Sequence, residues 1–203
     1  EIYRRKLEKP AGPNQLDRVV FTSGGTAAGK TTAITSVAKI TNIVRSAQIV
    51  YDSTLSSWPS ADQKITQALE AGKTVSIVHV YRDPVEAFVN GALSQPDRMG
   101  RVAPVEVFIQ THLGAPNVLL RLARKYRDEP RVAISVIDNS RGRGKAVVTD
   151  LDFVRRVAKK YTPEELRAKV IQALEDAHEK GKRREKGGIS EAVYRAFKGH
   201  AAN

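Results

Sequence analysis

The chain has 203 residues, 34 of them Lys or Arg against 22 Asp or Glu, for a formal net charge of +12, and it contains no cysteine. The missing cysteine excludes disulfides, thiolate catalysis and Cys-ligated zinc or iron–sulfur centres, and 41% hydrophobic with 28% charged residues excludes wholesale disorder. No stretch approaches the roughly 18 consecutive apolar residues of a membrane span, and the start Glu1-Ile2-Tyr3-Arg4-Arg5-Lys6 has no apolar segment for export. The expectation is a soluble, cytoplasmic protein without membrane contact; the absence of an initial Met suggests a processed chain or a fragment.

Residues 1–17 are polar and carry Pro10, Gly12 and Pro13, which reads as an N-terminal arm. A core is expected over 18–150. It opens with the β-branched and aromatic run Val19-Val20-Phe21, which stops at Ser23-Gly24-Gly25 as a buried parallel strand stops in a glycine-rich loop. Ile34, Val37, Ile40 and Val44 then recur at helical spacing, predicting one helix from Lys30 to about Val44. Ala47–Tyr51 predicts a second strand, Pro59 to Leu69 a helix ended by Gly72, and Thr74–Tyr81 a third strand. Pro84 opens another helix through Ala92, and the polar stretch Ser94–Arg101 follows. Val105–Tyr126 is helical in period but interrupted by Gly114-Ala115-Pro116, predicting two helices or a kinked one. Arg131–Ile137 predicts a strand, and Lys145–Thr149 a possible further one. Residues 151–203 form a helical C-terminal extension, with segments at Phe153–Tyr161, Pro163–His178 and Ile189–Phe197. Strands alternating with helices in this way predict an α/β fold, a doubly wound, mostly parallel sheet with helices on both faces.

Gly24-Gly25-Thr26-Ala27-Ala28-Gly29-Lys30-Thr31 satisfies the G-x4-G-K-[ST] phosphate-loop pattern in the strand-loop-helix context that the pattern requires, with Thr32 following. Gly24 and Gly29 free the backbone to turn its N–H groups toward a phosphate, and the helix after Lys30 would add the positive end of its dipole. Lys30 is expected to reach the β- and γ-phosphates of ATP, and Thr31 to hold Mg²⁺. In such sheets ligands sit outside the carboxyl ends of the strands. Three acids qualify there: Asp52, Asp83 and Asp138. Asp52, before Ser53-Thr54, is the first choice to bind Mg²⁺ or take a proton from an acceptor hydroxyl; Asp83, before Pro84, reads better as a helix cap.

Arg98 and Arg101, in a loop rimmed by Pro96 and Pro104, are expected to act as lid arginines closing over the transferring phosphoryl group. Trp58 either lines an acceptor pocket or staples the following helix. His79 sits inside a strand and reads as a core histidine, while His112, His178 and His200 show no ligand-like spacing with carboxylates. The run Lys180-Gly181-Lys182-Arg183-Arg184-Glu185-Lys186 is either a solvated linker between helices or a nucleic-acid contact.

This arrangement resembles the zeta-toxin group of P-loop kinases, whose relatives include chloramphenicol phosphotransferase. The resemblance is carried by Gly24–Thr31, by Val50-Tyr51-Asp52-Ser53-Thr54, and by Gly100-Arg101-Val102-Ala103-Pro104. It extends through Leu113–Asn117 with Leu119-Leu120 to Ile137-Asp138-Asn139, about residues 18–150. It implies ATP-dependent phosphorylation of a hydroxyl on a small-molecule acceptor, a nucleotide sugar in the toxins. It also implies Lys30 and Thr31 as phosphate and Mg²⁺ residues, Arg101 as a lid arginine, Asn139 as part of the nucleotide-base pocket, and an antitoxin as partner. One departure stands out. The toxins insert a further strand, carrying the acid that serves as base, ahead of the position of Asp52, whereas only 21 residues separate Lys30 from Asp52 here. Either Asp52 performs both tasks or the acceptor site is altered or lost. Three functions follow: a small-molecule kinase, a kinase of nucleosides or nucleic-acid ends, and a non-catalytic nucleotide-binding module among the domains of a larger protein.

Overall fold

A computed structural model describes residues 2–94, 102–142 and 144–199. The run Val19-Val20-Phe21 is fully buried in β1 (Leu16–Ser23), which needs cover on both faces and receives it. β1 pairs in parallel with β2 (Ala47–Tyr51) on one side and β3 (Thr74–Tyr81) on the other, and β3 pairs in parallel with β4 (Val132–Asp138). β5 (Val147–Thr149) is antiparallel to β4 at the far edge, giving the order β2-β1-β3-β4-β5. The α/β class with a mostly parallel sheet is therefore what the alternation of strand and helix patterns predicted.

The period of two along the strands sorts the core. Val19, Phe21, Val75 and Ile77 face one layer, made by α1 (Ile2–Leu7), α4 (Trp58–Glu70), α6 (Val105–Lys125) and α7 (Leu151–Val157). Val20, Val78 and Val80 face the other, made by α2 (Lys30–Ser36) and α3 (Ala38–Arg45). A third cluster joins α5 (Pro84–Ala87), the π-helical turn Phe88–Ala92 and α6 to α8 (Pro163–Lys182) and α9 (Glu191–Phe197) through Phe88, Phe108, Leu166, Leu174 and Phe197. Among the described residues no helix is long and apolar enough to cross a membrane.

Three local expectations differ from the structure. The stretch read as an arm contains α1, whose Tyr3 and Leu7 are buried in the sheet core and whose Tyr3 hydroxyl donates to the Lys64 carbonyl at 2.9 Å. The single helix from Lys30 breaks at Val37, which is extended (φ −113°, ψ 100°). The cause is a run of β-branched and hydroxyl residues whose side chains compete for helix carbonyls. Ser36 Oγ donates to the Ala33 carbonyl at 2.8 Å, and Thr41 Oγ1 to that of Ile34 at 2.8 Å. Conversely, α6 runs unbroken through Pro116. That proline is buried in the helix's packed face, and the Asn117 side-chain amide donates to the Leu113 carbonyl one turn back at 2.8 Å.

Candidate active site

The phosphate-loop sequence occupies the carboxyl end of β1, between its neighbours β2 and β3. Gly24 adopts φ 133°, and a Cβ there would lie 2.2 Å from the Val80 carbonyl oxygen, so neither the angle nor the space admits a side chain. Its N–H donates to the Thr54 carbonyl at 3.0 Å, tying the loop to the segment after β2. Gly29 turns the chain into α2 at φ 75°, and Ala27 sits at φ 59°, a left-handed conformation uncommon outside glycine. The N–H groups of Ala27 and Gly29 have no acceptor among the described residues. Such free donors in a turning loop form a concavity suited to an anion.

The loop is braced from distant parts of the chain. Thr111 Oγ1, on α6, accepts from the Thr26 N–H at 3.2 Å and lies 3.1 Å from Thr26 Oγ1. One turn position on, His112 Nε2 donates to the Thr26 carbonyl at 2.7 Å, and the ring packs on Phe108 at 4.3 Å. Gly25 makes room for that ring, because a Cβ on it would stand 2.4 Å from His112 Nδ1. Beneath the loop, His79 is buried on β3 with Nδ1 2.9 Å from Ser23 Oγ, and its Nε2 has no partner among the described residues. Burial drives both imidazoles toward the neutral form. His79 is pushed down to about 3, with the charges of His112 and Lys30 adding to the burial. His112 is pushed down to about 4; the Thr26 carbonyl partly opposes its burial and Lys30 adds to it. Keeping these rings uncharged leaves the ammonium of Lys30 as the cation of the loop. Burial lowers that ammonium's pKa as well, and the Asp52 carboxylate counteracts the effect.

Asp52 follows β2, and its Oδ1 accepts from Thr22 Oγ1 at 2.5 Å. Thr22 Oγ1 also receives the Ser53 N–H at 3.0 Å, and Ser53 Oγ donates to the Thr22 carbonyl at 3.1 Å. These cross-bonds fix the carboxylate at the mouth of the site while leaving it exposed. Asp83 instead caps α5, accepting from the Val85 and Glu86 N–H groups at 3.0 and 3.1 Å. Burial works against its charge, but Lys160, the Glu86 N–H and the Tyr161 hydroxyl together hold its carboxyl below the usual range. Asp138 accepts the Ser140 N–H at 2.9 Å and holds a turn. Asn139 donates Nδ2 to the Ala28 carbonyl at 2.9 Å, and a Cβ on Gly29 would meet that nitrogen at 2.7 Å. Its amide is thus committed to the shape of the loop. Trp58 begins α4, packs against the core and carries the Arg121 guanidinium 3.8 Å above its ring, the position of a staple for that helix.

Arg98 and Arg101 lie outside the described residues. A different arginine lies near the loop, across Gly91 from Ala27. Arg82, just beyond β3, is 15% exposed and pairs with Glu86 at 3.2 Å. Its Nη1 and the Cβ and carbonyl of Ala27 lie 3.2–3.4 Å from where a Cβ on Gly91 would stand. Gly91 belongs to the π-helical turn, a deformation frequent at functional sites, and its bare Cα lets that turn close on the loop. Neither Arg82 nor the Thr111–His112 brace was singled out by sequence reasoning. Arg82 precedes an Asp-Pro pair that reads as a helix start, and Thr111 lies 85 residues from its partner.

The donor set suits a divalent cation with bound phosphates. Thr31 is exposed at the first turn of α2, and Asp52 offers one carboxylate oxygen with no protein partner among the described residues. A hydroxyl and a carboxylate, completed by phosphate and water, fit Mg²⁺ rather than zinc. Among the described residues no group of three or more His, Asp or Glu forms a self-contained metal cage.

No family model matches the chain, and no curated protein matches it by sequence. Solved structures do. A chain of the AvrRxo1-ORF1:-ORF2 complex with ATP superposes with a TM-score of 0.60 at 14% identity, covering 97% of this chain and 86% of that one. A chain of the same complex with sulphate ions gives 0.56 at 15% identity, over 97% and 83%. A chain of the PezAT chromosomal toxin–antitoxin system of Streptococcus pneumoniae gives 0.44 at 11% identity, over 86% and 94%, an overlap too loose to define a shared fold. At such identities what is shared is the fold alone, an α/β fold around a mostly parallel five-stranded sheet.

Proposed function

We propose that the protein is an ATP-dependent P-loop kinase that transfers the γ-phosphoryl group to a hydroxyl of a small molecule. The observation that carries this reading is the braced loop Gly24–Thr31, with Lys30 in the field of a single fixed carboxylate, Asp52. The loop N–H groups and Lys30 bind the β- and γ-phosphates, Arg82 supplies a second cation beside Ala27, and Thr31 and Asp52 hold the metal. Mg²⁺ bound there neutralises charge on the phosphate oxygens. The acceptor oxygen forms a bond to the γ-phosphorus as the bond to the β–γ bridging oxygen breaks, and ADP leaves. Asp52 takes the hydroxyl proton. The structural neighbour crystallised with ATP supports a nucleotide as ligand. The neighbours' assembly with a second chain supports a protein partner, in the manner of an antitoxin, as a further part of the reading.

The test is ATP consumption with Mg²⁺, alone and with panels of nucleotide sugars, nucleosides and oligonucleotides, beside Lys30→Ala. Acceptor-dependent ADP formation that the variant loses is the expected result. A second reading is favoured by one observation. β2 pairs directly with β1 and ends the sheet, so among the described residues no strand intervenes to carry another acid. Saturable ATP binding without turnover for any acceptor would establish that reading, a nucleotide-binding module.

A further inference from the structure

Beyond Asp52 the segment Ser53–Ser57 folds over the amino end of α4 and encloses a cavity of about 120 Å³. Five Ser or Thr residues, among them Ser56, Ser57 and Ser60, line it together with Lys64, and no acidic residue does. The walls are fixed: Leu55 is buried, the Thr54 and Ser56 hydroxyls are 2.9 Å apart, and the Ser56 carbonyl abuts Gly114 of α6 so closely that a Cβ there would stand 2.5 Å from it. The cavity is joined to the phosphate loop through one residue. Thr54 lines it and accepts the Gly24 N–H with its carbonyl.

Lys64 is the group that sets the ligand. Its ammonium lies 4.8 Å from the centre of the Tyr3 ring and 5.9 Å from that of Tyr51, which hold it by cation–π attraction without neutralising it. Elsewhere lysines meet carboxylates: Lys73 with Asp17, Lys160 with Asp83, Lys198 with Glu175. Lys64 has no carboxylate partner among the described residues. A lysine without a carboxylate partner, beside Ser and Thr residues in a concave site, suits an anionic oxygen group, whose remaining hydrogen bonds hydroxyls can complete.

We infer that this cavity is the subsite for the acceptor of the proposed reaction, and that the acceptor is a small alcohol bearing an acid group, a phosphate or a carboxylate, seated on Lys64 and the surrounding hydroxyls. This rests on the kinase reading for the word acceptor, but the binding site stands apart from it. The volume admits the acid group and its stem rather than a whole nucleoside.

Trp58, the one tryptophan of the chain, stands in sequence between the lining residues Ser57 and Ser60 and serves as a nearby emission probe. The intact protein is titrated with glycerol 3-phosphate, glycerate and glycerol, following Trp58 emission. ATP affinity and ADP formation are measured in parallel. A saturable change with glycerol 3-phosphate or glycerate and none with glycerol is expected, and the stronger of the two identifies the acid. Lys64→Gln should weaken that binding tenfold or more, Lys64→Arg should restore most of it, and ATP affinity should be unchanged in both. Equal responses to glycerol, no saturable response to either anion, or a Lys64→Gln variant that binds as well as the parent would overturn the inference. Anion binding lost in Lys64→Gln but without ADP formation for any alcohol would keep the subsite and remove the kinase. ADP formation with neutral acceptors, indifferent to Lys64, would do the reverse.

Discussion

Gly25→Ala isolates the contact between the phosphate loop and α6. Gly25 is outside the left-handed region, so alanine meets no backbone strain there and the whole effect comes from what its Cβ touches. That Cβ would stand 2.4 Å from His112 Nδ1 and 2.5 Å from Cδ2 and Cε1. The ring cannot swing aside freely, since it packs on Phe108 and is buried. Overpacking of this kind costs about 1–3 kcal/mol. Displacing the ring also breaks its bond to the Thr26 carbonyl, leaving a partly buried acceptor unpaired at about 1–3 kcal/mol more. The sum, about 2–6 kcal/mol, corresponds to a melting temperature lower by roughly 4–24 °C for a chain of this size. Calorimetry on Gly25→Ala, His112→Ala and the double variant should show that the second substitution relieves the first, with a coupling of about 1–3 kcal/mol. ATP affinity should fall in Gly25→Ala and recover in part in the pair. A Gly25→Ala protein that melts with the parent, or strict additivity in the cycle, would refute the placement of His112 against the loop.

Other consequences follow from the same geometry. His79 and His112 are held at about 3 and about 4 but titrate near 6.5 when exposed by unfolding, so the unfolded chain binds more protons over that interval. Stability should be complete above about pH 6.5 and fall as pH drops toward 4; urea midpoints between pH 7.5 and 4.5 check this, and His112→Gln should flatten the decline. Asn139→Ala removes the donor to the Ala28 carbonyl and should cost about 1–3 kcal/mol, with weaker ATP binding by titration calorimetry; unchanged affinity would show that the loop holds its shape unaided. Thr22→Val keeps the volume but frees Asp52, and should lower kcat by about tenfold while ATP affinity stays constant, because one charge-assisted hydrogen bond is worth about 1.5–3 kcal/mol.

The backbone course of the 24–31 loop was legible because its requirements are local: the glycines at 24 and 29 answer to their own φ angles, and Lys30 and Thr31 open α2 by fixed spacing. Asp52 was legible as an acid at a strand end. Its partner was not, since Thr22 reads only as the last polar residue of a buried strand, and nothing in the local pattern says that its hydroxyl crosses to the neighbouring strand. The same limit hid Thr111, His112 and Arg82, whose contacts join segments far apart in the chain. It also hid α1, because a short basic helix with Tyr3 and Leu7 as its inward residues leaves too few apolar positions for a period to show. The two helix expectations failed in opposite directions: local competition by hydroxyl side chains breaks the segment at Val37, whereas burial of its packed face carries α6 through Pro116. The shortened stretch between Lys30 and Asp52 now has a spatial meaning. With β2 directly against β1, Asp52 is the carboxylate whose field acts on Lys30, and Thr54, two residues later, ties the phosphate loop to the hydroxyl-lined cavity. In the proposed reaction that single strand end would serve both nucleotide and acceptor, with Asp52 performing the two tasks; turnover lost on removing its carboxylate would separate this from the binding-module reading.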